Sequence, residues 1–277
     1  SLINYATNPI INTVTSLLII LGGLGYIVWW DVLRVLKKAR TKKVRFFRDL
    51  TLHSKIAITA TLILIFVGAT FIFAFEYNNP QTMGDYTLLQ KIEVSLFQSV
   101  TTRTAGFATV PQENLTNASA IVCLLLMFIG GSPVGTAGGI KTVTFAVIIV
   151  AAIASVRNKE DAEVFGRRLT KQAVSKAVAV TCMSFIIMFT STVLLSAVTD
   201  ANALDIVYET VSATATVGLT VTTLPNTHFY CVVVYNTNKL GVNSLGEFLC
   251  TLKERSNSLY VNTVNVIREY NTVRITH

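Results

Sequence analysis

Residues 115–156 read LTNASAIVCLLLMFIGGSPVGTAGGIKTVTFAVIIVAAIASV, with Lys141 the one charged side chain. As a single straight α-helix this run would be about 63 Å long, roughly twice a ~30 Å bilayer core. Its middle reads Gly130-Gly131-Ser132-Pro133-Val134-Gly135-Thr136-Ala137-Gly138-Gly139. Such a stretch is a poor helix, because glycine loses the most backbone freedom on ordering and proline lacks an N–H. Non-helical backbone at membrane depth is tolerated only where protein or a water-filled cavity shields it. The run is therefore expected to cross the bilayer once, broken in the middle, beside a cavity.

Three further apolar runs, 9–30, 56–75 and 177–198, give four proposed passes. Hydrophobic residues make up 52% of the chain, charged residues only 14%, and mean hydropathy is +0.56, which excludes an ordinary soluble domain. The net charge of +8 sits in loops rather than on one face, so it argues topology and not nucleic-acid binding. Residues 31–55 carry Arg34, Lys37, Lys38, Arg40, Lys42, Lys43, Arg45, Arg48 and Lys55. Residues 157–176 carry Arg157, Lys159, Arg167, Arg168, Lys171 and Lys176. Both loops are expected on the cytoplasmic side, with 76–114 and the chain after Thr199 outside. Two complete passes within 115–156 would place the second basic loop outside, which disfavours that alternative.

Two segments are apolar but too short to span, 94–102 and 204–223. The first leads through Phe97-Gln98-Ser99-Val100-Thr101-Thr102-Arg103 into Thr104-Ala105-Gly106-Phe107. The second leads through Tyr208-Glu209-Thr210-Val211-Ser212-Ala213-Thr214-Ala215 into Thr216-Val217-Gly218-Leu219. Both end in Thr-x-Gly, about 110 residues apart, and the second has one more residue before its glycine. A dehydrated alkali cation needs several neutral oxygens in place of water, and main-chain carbonyls aimed into a pore supply them. Glycine permits the dihedrals that this requires. The order helix, short dip, helix occurs once in full and once without its last helix. An ordinary outer loop with a glycine turn accounts for one such segment more easily than for two at matching places.

On these motifs the chain resembles the Trk/Ktr/HKT superfamily of potassium transporters, in particular the bacterial Ktr-type, TrkH-like membrane subunit. The resemblance covers about residues 1–227. It implies an all-α integral membrane fold built from helix–re-entrant pore loop–helix repeats, as in potassium channels. Residues 1–35 resemble the second helix of an upstream repeat, 50–157 a complete repeat, and 170–227 a helix and pore loop. Residues 99–107 resemble the third filter strand of four and 209–220 the fourth. Thr104, Ala105, Gly106, Thr216, Val217 and Gly218 would then hold the ion in the filter. Residues 130–142 resemble the family's intramembrane gating loop, with Gly130, Gly131, Ser132, Gly135, Thr136, Gly138, Gly139 and Lys141 as its residues. The resemblance further implies uptake of K⁺, coupled to Na⁺ in some members, through a multi-pass protein of the bacterial plasma membrane. It implies no cofactor and no enzymatic activity. Its expected partners are membrane lipid, a second copy in a homodimer, and a cytosolic nucleotide-binding regulatory subunit on the basic inner surface.

Other readings are weaker. Residues 135–142 resemble a phosphate-binding loop superficially, but Ile140 separates glycine from lysine and no strand precedes. The histidines, His53, His228 and His277, lie outside the apolar runs, so Ser132 has no base for hydrolysis. Cys123, Cys182, Cys231 and Cys250 show no metal spacing. Arg103 is expected to pair with loop carbonyls or an acid beside the filter. Residues 228–277 depart from the family: they are polar, rich in asparagine, and contain no spanning run, which suits a frameshifted or mis-joined end, the other reading being a divergent cytoplasmic tail. The alternative function is a non-transporting membrane fragment or scaffold.

Overall fold

The computed structural model describes residues 2–39, 46–133, 138–159, 161–221 and the backbone of two strands, 228–234 and 247–253. Helices dominate. In order they are α1 (Pro9–Gly23), α2 (Tyr26–Ala39), α3 (Phe46–Asp49), α4 (Leu52–Glu76), α5 (Leu88–Thr101), α6 (Asn117–Phe128), α7 (Thr142–Val156), α8 (Lys171–Val198) and α9 (Ala203–Thr214). Strands β1 (Glu163–Val164) and β2 (Arg167–Arg168) form a two-residue antiparallel pair. β3 (His228–Val234) and β4 (Glu247–Lys253) form an antiparallel hairpin. The polar composition of the tail hides these two strands, although β3 contains Val232, Val233 and Val234, which suit an extended backbone.

Helices α4 and α8 are long and apolar enough to cross a membrane. α5 and α9, with 14 and 12 residues, reach only about 21 and 18 Å and cannot. The run proposed as a pass at 9–30 is two helices meeting at 93°, which pass the length and apolarity test for a span only when taken together. Gly25 turns the chain with φ +77°, a conformation that costs glycine little. The Leu21 carbonyl at the bend accepts from the Trp29 indole N–H at 2.9 Å. The run at 115–156 breaks as its composition requires, into α6 and α7 with non-helical backbone between them.

α4 is the central post. Gly68 on it lets α5 and α6 approach, since a Cβ there would meet the Ser99 hydroxyl and the Leu126 side chain. Ser99 in turn donates to the Ile65 carbonyl at 2.9 Å. Ile72, Met83, Val94, Cys123, Met127, Tyr208, Val211 and Val217 form a buried core joining α4, α5, α6 and α9. Two carboxylates fix helix starts. Asp31 accepts from the Thr51 N–H and hydroxyl, both at 2.8 Å, ahead of α4. Glu76 accepts from the Thr116 N–H at 2.9 Å and its hydroxyl at 2.8 Å, ahead of α6. Each satisfies donors that a helix N-terminus leaves unpaired. α8 packs on α7 and α9 but is mostly exposed, which suits lipid contact for an apolar helix.

Candidate functional site

α5 and α9 each deliver the chain into a Thr-x-Gly turn, and the two turns have the same backbone. Thr104 and Gly106 have φ of +67° and +76°; Thr216 and Gly218 have +55° and +88°. Ala105 and Val217 between them are not in this region. A β-branched threonine at positive φ is rare and strained, at about 1–3 kcal/mol. It occurs twice, at equivalent positions of the two segments.

The N–H groups of each turn point back to their helix. Ala105 and Gly106 donate to the Thr101 carbonyl at 3.1 and 3.2 Å. Thr216 donates to the Ala213 carbonyl at 3.1 Å, and Val217 to that of Ser212 at 2.8 Å. A hydroxyl then ties down the residue after each glycine. Thr101 donates to the Phe107 carbonyl and accepts from the Phe107 N–H, both at 2.8 Å. Ser212 donates to the Leu219 carbonyl at 2.6 Å. Among the described residues no hydrogen bond reaches the carbonyls of Thr104, Ala105, Gly106, Thr216, Val217 or Gly218. Main-chain oxygens left without a protein partner are completed by water or by a cation.

The turns lie against each other. A Cβ on Gly106 would overlap the Val217 carbonyl oxygen and sit 3.3 Å from the Gly218 carbonyl carbon. A Cβ on Gly218 would meet nothing within 4 Å. The loop between α6 and α7 packs beside both turns. A Cβ on Gly138 would meet the Thr216 hydroxyl and the Ala215 carbonyl. One on Gly130 would overlap the Gly138 carbonyl and lie 3.4 Å from the Thr104 methyl. The loop's neck is closed by Ile140 donating to the Phe128 carbonyl and Thr142 to that of Gly131, both at 3.0 Å. Ser132, fully buried, donates its N–H to the Gly23 carbonyl at the end of α1 at 2.9 Å. Gly139 has φ +66°, and Lys141 precedes α7 as its N-cap. Gly135 and Thr136 lie outside the described residues.

Some supporting residues carry no local signal in the sequence. Gln112 accepts from Gln98 Nε2 at 2.7 Å and from the Tyr208 hydroxyl at 2.8 Å, joining the two short helices behind the turns. Arg103, expected beside carbonyls or an acid, instead reaches the hydroxyls of Thr142 at 3.1 Å and Thr61 at 3.4 Å. Thr101 and Ser212 could have been found by aligning the two segments, since each lies three residues after Gln98 or Glu209. Among the described residues no three His, Cys, Asp or Glu side chains gather to hold a metal ion.

Residues 1–240 match the TrkH family, described as a cation transport protein. The chain is 37% identical over 236 residues to the Ktr system potassium uptake protein B of Bacillus subtilis, covering 84% of this chain and 51% of that one. It is 34% identical over 230 residues to the potassium/sodium uptake protein NtpJ of Enterococcus hirae, covering 82% and 49%. Its fold matches the crystal structure of the potassium transporter TrkH from Vibrio parahaemolyticus with a TM-score of 0.62 at 15% identity, over 78% of this chain and 46% of that one. The chain thus spans about half the length of the curated relatives it matches. These relatives are membrane transporters and not enzymes, in keeping with the apolar helices α4 and α8. A family match over most of the chain, on a fold of short helices ending in twin glycine turns, leaves one assignment: this chain belongs to the TrkH family of cation transport proteins.

Proposed function

We propose that this chain forms part of a potassium uptake pathway across the bacterial plasma membrane. In it the carbonyls of Thr104, Ala105, Gly106, Thr216, Val217 and Gly218 replace the water shell of K⁺. One observation carries the reading: in two adjacent turns of matching strained backbone the six carbonyls accept no hydrogen bond among the described residues, while the N–H groups of Ala105, Gly106, Thr216 and Val217 are bonded backwards. Two strands cannot encircle an ion. The open flank of Gly218 is where a further strand packs, as Val217 packs on Gly106. Residues 50–157 act as one full repeat, 170–227 as part of the next, and 1–35 as the end of the one before.

The glycine-rich loop, with Gly130, Gly131, Ser132, Gly138, Gly139 and Lys141, acts as the barrier beneath the filter, Gly135 and Thr136 completing its motif. The nearness of Gly130 and Gly138 to Thr104 and Thr216 supports this. The name of the Enterococcus relative favours Na⁺ coupling. The working assembly is a homodimer in lipid with a cytosolic nucleotide-binding subunit on the basic inner loops. A non-transporting membrane scaffold is the second reading. Rubidium uptake in bacteria lacking their own potassium uptake separates the two. Transport predicts uptake that Gly106→Asp or Gly218→Asp abolishes and that shortening the 130–139 loop raises. Membrane-inserted chain that gives no uptake above background, even when co-expressed with a chain supplying further filter strands, overturns transport.

A further inference from the structure

Arg103 stands two residues past the end of α5 and is 8% exposed, yet among the described residues no carboxylate pairs with it. A buried guanidinium without a counter-charge is expensive, so its neutral contacts need a reason. The C-terminal dipole of α5 offsets part of the charge. Its Nη2 donates to the Thr142 hydroxyl, while Nε is buried without a partner. A hydroxyl that accepts from a guanidinium directs its own proton elsewhere, and the Thr142 proton goes to the Gly130 carbonyl at 2.7 Å. Charge at one end of such a chain strengthens the bond at the other. The second turn has Thr214 at the equivalent place, and that hydroxyl bonds back to Thr210 of its own helix. A side chain thus ties the broken helix to the first turn but not, at this place, to the second.

We infer that Arg103 is a positioning residue which, through Thr142, holds the Gly130 and Gly138 backbone seated against the two Thr-x-Gly turns and so sets how readily ions pass below them. The inference rests on the transport reading, but seating can be measured apart from transport. Ser132 is fully buried at the neck, and its hydroxyl has no partner, so Ser132→Cys reports the seating. Membrane vesicles carrying the whole chain with Ser132→Cys are treated with methanethiosulfonate ethylammonium, and modification is followed by peptide mass spectrometry so that the four native cysteines, Cys123, Cys182, Cys231 and Cys250, do not interfere. Adding Thr142→Val, which keeps the shape and removes the hydroxyl, should speed modification about tenfold, as expected for losing one charge-assisted bond. Thr142→Ser should restore the slow rate. Arg103→Gln should act like Thr142→Val, with Arg103→Lys between; if Arg103→Gln does not fold, the Thr142 pair still decides. In rubidium uptake Thr142→Val should raise the maximal rate and leave KM unchanged. Modification of Thr142→Val within about twofold of its parent, or no rescue by Thr142→Ser, overturns the inference. Faster modification with unchanged uptake keeps the tie but overturns its effect on ion passage, and with it the barrier reading of the loop.

Discussion

The two Thr-x-Gly turns share a backbone but not a setting. The first is half-buried, backed by the neutral pair Gln98 and Gln112, and preceded by Arg103. The second leaves Thr216, Gly218 and Thr220 exposed, and its equivalent of Gln98 is Glu209. That carboxylate accepts from the Val221 N–H at 2.7 Å and the Thr220 hydroxyl at 2.6 Å. A carboxylate thus bonds the second turn directly, whereas the cation beside the first bonds the helices next to it and not the turn itself. Local backbone is set by the repeated motif, while the side chains behind it are free to differ between repeats.

The sharpest test compares the glycines. Gly106→Ala forces a Cβ into the Val217 carbonyl at positive φ, so it should cost about 3 kcal/mol or more and abolish rubidium uptake. Gly218→Ala meets open space and bears only the backbone penalty, about 1 kcal/mol. Thermal midpoints of the detergent-purified variants measure the gap. Equal damage at both positions in the chain purified alone would mean that the flank of Gly218 is not open there, and the asymmetry would vanish.

Next come the hydroxyl ties. Thr101→Val removes both bonds to Phe107 and should cost about 2 kcal/mol, whereas Ser212→Ala removes the single bond to Leu219 and should cost about 1 kcal/mol. Chemical denaturation of the two variants in matched micelles checks the order. A larger loss at Ser212 would show that the second turn depends on its tie more than the bond inventory indicates.

Why some of this was readable and some not follows from range. The broken run at 115–156 and the twin turns are local: length against bilayer thickness, glycine content and a repeated tripeptide suffice. The 93° bend after Gly23 was not, because 9–30 has the length and apolarity of a span and one glycine at positive φ undoes it. The contact of Tyr208 with Gln112 joins residues 96 apart, and a neutral amide in a polar loop carries no sign of its partner. Arg103 gave a sign but the wrong partner type: a lone buried cation suggests an acid, and here threonine hydroxyls and a helix end share the task.

The smallest expected effect isolates charge from geometry at the second turn. Glu209→Gln retains one carbonyl oxygen, enough to accept from the Val221 N–H, so the turn should keep its shape and lose under about 1 kcal/mol. What it removes is a negative charge at a half-exposed position beside the open end of the turn, where attraction for an approaching cation is weak and screened by salt. Rubidium uptake should therefore show a KM raised about twofold at low ionic strength and unchanged at high ionic strength, with the maximal rate intact. A fall in maximal rate without a salt-dependent KM would mean that the carboxylate is needed to hold the backbone. The two turns would then differ in mechanical support and not in the field they present to the ion.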